Sequence, residues 1–214
     1  MAREWSVDPK DTPAVRGVLH EPQKPNGDGI VLTHGAGSNR DAALLVALAD
    51  AFAARGLAAL RCDLPYRQKR PSGPPSPSGA ARDREGLASA AASLGKMAKR
   101  IFLSGSSYGG RQATMLAAER PEVAAALLLL SYPLHPPGKP ERLRTEHFPE
   151  LRAPAMFVHG SKDTFGTLDE MRAALPLIPA RHELLPVEGG THGLSKKADA
   201  GAIADAFLRF AGRQ

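Results

Sequence analysis

The amino-acid sequence predicts an α/β fold: one domain over residues 1–214, with a mostly parallel sheet flanked by helices. Three observations predict it. Short apolar runs alternate with longer stretches whose apolar residues recur at three- and four-residue spacing, the pattern of buried strands followed by amphipathic helices. The pentapeptide Gly105-Ser106-Ser107-Tyr108-Gly109 lies between one such strand and one such helix. Polar, glycine-containing turns follow other apolar runs, at the carboxyl ends of strands where a parallel sheet carries its ligands.

The elements follow in chain order. Residues 14–19 alternate enough to be a strand. Gly29-Ile30-Val31-Leu32-Thr33 reads as a buried strand running into the loop His34-Gly35-Ala36-Gly37-Ser38-Asn39. Residues 41–55 are helical, with Leu44, Leu45, Leu48 and Phe52 on one face, and Gly56 closes that helix as a C-cap glycine would. Residues 57–62 form the next strand. Residues 63–79 contain Pro65, Pro71, Pro74, Pro75 and Pro77, and are expected to be loop, because proline removes an N–H and fixes φ. An Ala-rich helix over 80–99 precedes a strand over 100–104, the pentapeptide, a helix over 111–119 and a strongly apolar strand over 123–130. Residues 131–152 are broken by prolines and read as irregular. A strand over 155–158, a short helix over 168–175, a strand over 182–187 and an amphipathic helix over 199–211 complete the chain. Ile203, Ala206, Phe207 and Phe210 face inward on that last helix. No internal repeat and no linker divides the sequence.

Composition narrows the function classes. Of 214 residues, 43% are hydrophobic, enough for a substantial core. No apolar run approaches the ~20 residues of a membrane helix. The start, Met1-Ala2-Arg3-Glu4-Trp5, lacks the apolar stretch of a signal peptide, so a cytoplasmic protein without membrane association is expected. A single cysteine, Cys62, excludes an intramolecular disulfide and a cysteine-based zinc cluster. It is expected to be a buried structural thiol. The net charge of +6 is spread along the chain, without the basic face that nucleic-acid binding requires. Its one concentration, Arg67-Gln68-Lys69-Arg70, is expected either to be solvated or to border the site and favour anionic substrates.

The pentapeptide carries the chemistry. A G-x-S-x-G between strand and helix is a nucleophile elbow, a turn so tight that the positions two away from the serine must lack side chains. Ser107 is thus the candidate nucleophile. A serine hydroxyl needs an adjacent base, and the base needs an orienting acid. The strand over 155–158 runs into His159-Gly160-Ser161-Lys162-Asp163, and the strand over 182–187 into Glu188-Gly189-Gly190-Thr191-His192-Gly193. Asp163 and His192 therefore follow successive strand ends, in the serine–acid–histidine order of one known triad arrangement. His192 is assigned as general base and then acid. Asp163 is its partner, in preference to Asp169 and Glu170 within the following helix. Acyl transfer also needs oxyanion donors: the backbone N–H of Tyr108, after the nucleophile, and that of Ala36 in the His34-Gly35-Ala36-Gly37 loop. His34 and His159 are expected to be structural. No metal or organic cofactor is implied.

On these residues the chain resembles the α/β-hydrolase superfamily over nearly its whole length. It is similar to the small dienelactone-hydrolase-like family that includes a testis-expressed hydrolase-like protein and the third subunit of the NSL histone acetyltransferase complex. Leu60-Arg61-Cys62-Asp63-Leu64-Pro65-Tyr66, Ser107-Tyr108-Gly109-Gly110-Arg111 and Ser131-Tyr132-Pro133-Leu134-His135-Pro136 carry the closer match. The family usually has Phe where Cys62 stands, and a shorter, less proline-rich stretch at 71–79. The resemblance implies an α/β-hydrolase domain without a large cap and a serine hydrolase acting on a small ester, thioester or lactone. A small amidase or peptidase would use the same residues. The family's non-enzymatic subunits imply a third reading, a protein-interaction module with a silent site.

Overall fold

The computed structural model describes residues 1–194 and 197–212, so the last two positions of the expected domain lie outside the described residues. Among the described residues the strands are β1 (Ala2–Val7), β2 (Val15–His20), β3 (Asp28–Thr33), β4 (Ala58–Cys62), β5 (Arg100–Ser106), β6 (Ala126–Leu130), β7 (Ala155–Gly160) and β8 (His182–Val187). The helices are α1 (Ala43–Ala54), α2 (Pro65–Lys69), α3 (Ala80–Leu94), α4 (Tyr108–Glu119), α5 (Leu168–Ala174) and α6 (Ala200–Gly212). One sheet holds all eight strands in the order β1-β2-β4-β3-β5-β6-β7-β8. The pairings β1–β2 and β2–β4 are antiparallel, and all others are parallel. This single-domain α/β architecture is the fold class that the sequence predicts.

Alternation within each strand explains why both faces need cover. Successive side chains point to opposite faces, so an uninterrupted apolar strand cannot leave either face wet. On one face Ile30, Leu32, Phe102, Leu128, Leu130, Met156 and Val158 meet Leu45, Leu48 and Phe52 of α1, together with Ile203, Phe207 and Phe210 of α6. The intervening residues Val31, Leu103, Leu127, Leu129 and Phe157 face Leu87 and Leu94 of α3, Ala113 and Leu116 of α4, and Met171 of α5. Phe207 makes edge-on contacts with Phe52 and Phe102, at ring-centroid distances of 6.0 and 5.3 Å. Among the described residues no helix is long and apolar enough to cross a membrane.

Several expected boundaries are corrected. β1 was not anticipated. It is an antiparallel edge strand, mostly exposed, and its sequence Ala-Arg-Glu-Trp-Ser-Val carries no apolar run. The stretch 63–79 is not all loop, because Pro65 opens the five-residue helix α2 and Pro77 a 3₁₀ turn. Proline is tolerated at the first helical position, where its missing N–H has no partner to lose. α3 ends at Leu94 rather than 99, with Gly95 at its C-cap. β6 begins at Ala126 rather than 123, since Pro121–Val123 forms a 3₁₀ turn. A further 3₁₀ turn, Phe148–Glu150, lies in the stretch read as irregular.

The most informative correction is at α4, which begins at Tyr108 rather than 111. Gly109 and Gly110 are poor helix formers by propensity, yet close approach demands them. A Cβ on Gly105 would lie 2.4 Å from the Gly109 carbonyl carbon and from the Gly110 nitrogen. One on Gly109 would lie 2.6 Å from the His34 carbonyl oxygen. The start of α4 therefore rests directly on the backbone of β5 and on the chain leaving β3.

Two stability measurements test this packing. Phe207→Ala should lower the free energy of urea unfolding by about 3–5 kcal/mol, the usual cost of deleting a fully buried aromatic ring. Gly105→Ala should cost about 1–3 kcal/mol, because the three nearest atoms that its methyl meets are all backbone. An alanine variant as stable as the parent would show that α4 can lift off β5.

Candidate active site

Six parallel strands end at one edge of the sheet, and the candidate residues lie just beyond four of them, β3, β5, β7 and β8. Ser107 follows β5 with φ 49° and ψ −114°, backbone space that a residue bearing a Cβ rarely adopts. Its N–H donates to the Leu130 carbonyl at the end of β6 (2.8 Å), and its own carbonyl accepts from the Arg111 N–H (3.0 Å). The turn is held from both sides, and the side chain projects clear of the sheet.

His192, on the turn after β8, comes within 2.8 Å of the Ser107 Oγ through Nε2. Its Nδ1 lies 3.0 and 2.8 Å from the two carboxylate oxygens of Asp163, on the turn after β7. A carboxylate accepts, so Nδ1 carries the proton and Nε2 is free to accept from the serine hydroxyl. Asp163 is 3% exposed, and its Oδ1 also accepts the Phe165 N–H at 2.8 Å. The Phe165 ring stacks on the imidazole with centroids 4.0 Å apart, fixing the plane of His192. A glycine is required where the two turns converge, since a Cβ on Gly160 would meet the Gly190 carbonyl oxygen at 2.3 Å. The rival acids are engaged elsewhere: Asp169 pairs with Arg172, and Glu170 caps α5 through Thr167 and pairs with His135.

The loop after β3 is built around the peptide between Gly35 and Ala36. The Gly35 carbonyl accepts from His34 Nδ1 (2.9 Å), the Tyr66 hydroxyl (3.1 Å) and the Ser38 N–H (3.1 Å). His34 is fixed in that tautomer because its Nε2 accepts the Leu64 N–H at 3.1 Å. A trans peptide is planar with C=O and N–H opposed, so anchoring this carbonyl turns the Ala36 N–H the other way. Among the described residues neither the Ala36 N–H nor the Tyr108 N–H has an acceptor. Tyr108 opens α4, where no intrahelical partner exists. His34 and His159 are both buried and bonded to backbone carbonyls, Gly35 and Gly166 respectively.

Both N–H groups share a support that sequence reasoning missed. Asp83, 1% exposed on α3, accepts the Tyr108 hydroxyl at 2.7 Å and the Tyr66 N–H at 3.1 Å. The rings of Tyr66 and Tyr108 meet edge-on at 5.8 Å. Burial pushes the Asp83 carboxyl above its usual range against the pull of these two donors, and the Tyr108 phenol is pushed far up by burial and by Asp83. A lone acid in an Ala-rich helix carries no sequence signal of such a role. The pairing arises only when α2 and α3 meet.

The basic cluster at 67–70 does not border the cavity, which corrects that expectation. Arg67 is buried, and its guanidinium donates to the carbonyls of Ser38 (2.8 Å), Ala36 (3.0 Å), Gly73 (3.0 Å) and Arg70 (3.1 Å). It stitches the stretch after α2 to the back of the Ala36 loop. Lys69 and Arg70 are exposed. Cys62 is buried at the end of β4, and burial pushes its thiol up to about 12, so it remains a protonated core group. The cavity above Ser107, about 710 Å³, is instead lined by Arg111 and Arg144 and walled by Ala42 to Leu45, Pro133 and Phe165.

The fold recurs in solved structures. DcsB, in complex with its substrate analogue, superposes with a TM-score of 0.79 at 16% identity, covering 99% of each chain. Dienelactone hydrolase from Anabaena variabilis gives 0.74 at 21% identity, covering 98% of this chain and 96% of its own. XC6422 from Xanthomonas campestris, described as a serine hydrolase without lid, gives 0.76 at 14% identity, covering 99% and 94%. At these identities the likeness is one of fold. Sequence carries it further, because residues 27–213 match the family described as alpha/beta hydrolase domain. The chain belongs to the alpha/beta hydrolase domain family.

Proposed function

We propose that this protein is a serine hydrolase that cleaves a small carboxylic ester, thioester or lactone through an acyl-enzyme on Ser107. One observation carries the reading. Ser107, His192 and Asp163 form a continuous hydrogen-bonded chain beside two acceptor-free backbone N–H groups. This supplies the four parts that acyl transfer needs: nucleophile, base, orienting acid and oxyanion donors.

The steps balance with these residues alone. As the Ser107 oxygen bonds to the substrate carbonyl carbon, its proton passes to His192 Nε2, and Asp163 stabilises the imidazolium through Nδ1. The carbonyl π electrons move to oxygen, where the Ala36 and Tyr108 N–H groups donate. Collapse expels the leaving alkoxide or thiolate, which takes the proton from His192, and the acyl group remains on Ser107. Water then gives a proton to His192 and attacks the acyl carbon. The second collapse releases the carboxylic acid and returns the proton to Ser107. Among the described residues no separate domain covers the cavity, an arrangement that suits small or exposed acyl groups.

Ser107→Ala should abolish labelling by a fluorophosphonate probe and lower kcat for p-nitrophenyl acetate by roughly 10⁴–10⁶, with the thermal midpoint near that of the parent. A parent protein that the probe does not label would favour a silent interaction module instead. Tyr66→Phe tests the anchored peptide. Losing the hydroxyl's one hydrogen bond of about 0.5–1.5 kcal/mol, shared between the Gly35 and Ala36 carbonyls, should lower kcat roughly two- to tenfold with little change in KM. A change confined to KM would contradict a role in holding the oxyanion donor.

A further inference from the structure

Among the described residues, two guanidinium groups that line the cavity have no ion-pair partner. Arg111 lies one helical turn beyond Ser107 on α4, and Arg144 faces it from the segment after β6. Among the described residues the Arg111 side chain has no hydrogen bond or ion pair, and its Nε is buried without a partner. Among the described residues the Arg144 side chain makes one long bond, from Nη1 to the Pro133 carbonyl at 3.3 Å, and pairs with no acid. Glu146 is exposed and acts on Arg144 only through space.

Other shielded arginines of this chain are matched. Arg61 is met by Asp41, Arg84 by Glu119, and Arg67 by four carbonyls. Arg111 and Arg144 are different because their positive fields add. Burial and the Arg111 charge together hold Arg144 below the usual arginine range, and the same two causes push His147 down to about 4. Two like charges gathered in a partly shielded cavity are unfavourable unless an anion completes them.

We infer that Arg111 and Arg144 form an anion subsite, and that the substrate is an ester, thioester or lactone bearing a carboxylate about one helical turn from the scissile carbonyl. The inference rests on the reading of Ser107 as nucleophile for the position of that carbonyl. Arg111 is four residues beyond Ser107, about 6 Å along the helix axis, and a flexible arginine head reaches a carboxylate at a separation of that order. Ala42, Leu44 and Leu45, which also line the cavity, suit the apolar stem between the two ends. A planar, forked guanidinium matches a carboxylate in two-point geometry, and two of them can grip both oxygens.

Binding measured without turnover tests this. Calorimetry on Ser107→Ala protein compares monomethyl adipate, a monoanion, with dimethyl adipate, its neutral counterpart on the same six-carbon chain. The monoanion should bind at least about tenfold more tightly, as charge-assisted hydrogen bonds predict. That preference should disappear in Ser107→Ala/Arg111→Met and in Ser107→Ala/Arg144→Met. Arg111→Lys in the same background should retain part of it, which separates lost charge from a disturbed fold. Equal affinity for the two esters, binding of neither, or a preference that survives both methionine substitutions would overturn the inference. Fluorophosphonate labelling of the unsubstituted protein reports separately on the nucleophile, so an inert serine and an absent anion subsite give different results.

Discussion

The turn at Ser107 is the constraint on which the rest of the site depends. Holding a serine at positive φ costs of order 1–3 kcal/mol and persists only where its surroundings over-determine it. Here they do. The backbone of α4 rests on Gly105, the Ser107 N–H is tied to the end of β6, and Gly109 lies against the chain leaving β3. Three neighbouring strand ends thereby fix one residue. The strain turns the hydroxyl away from the sheet, and the same turn leaves the Tyr108 N–H without an internal acceptor.

The remaining polar groups divide by what they bind. Carbonyls that could have pointed into the cavity are occupied from behind. His34, Tyr66 and Arg67 hold those of Gly35, Ala36 and Ser38, and among the described residues the Ala36 N–H, on the far edge of the Gly35–Ala36 peptide, has no acceptor. Asp83 links this loop to the serine turn by holding Tyr66 and Tyr108 together. The chain's positive charge is likewise of two kinds. Arg67 is spent on four backbone carbonyls, whereas among the described residues Arg144 has one long bond of that kind and the Arg111 side chain none.

Most of the sheet was legible because its strands are short apolar runs closed by glycine or polar turns, and helices α1 and α6 because their apolar faces repeat at helical spacing. The edge strand β1 was not, since an exposed antiparallel strand needs no apolar alternation on its outer face. The start of α4 is hidden from local propensity, because glycine propensity is a local quantity while its use there is a contact with β5 and the chain leaving β3. Ser107, Asp163, His192, Ala36 and Tyr108 could be picked out by position, each lying on a turn after an apolar run. Asp83, Phe165, Arg111 and Arg144 could not be given their places in the site, because what distinguishes each is its neighbours.

By itself the sequence determined the alternation of strands and helices, the parallel sheet, and a G-x-S-x-G turn with an acid and a histidine after later strands. These are properties of spacing, and a parallel sheet converts spacing into position because every crossover returns the chain to the same edge. Tertiary structure alone decided which charges are exposed and which are consumed. Arg67 in a cluster of basic residues became a buried tie, and an arginine one turn past the serine became a cavity wall. A charge acquires its partner from segments distant in sequence, and the pattern of residues along the chain holds no record of that distance in space.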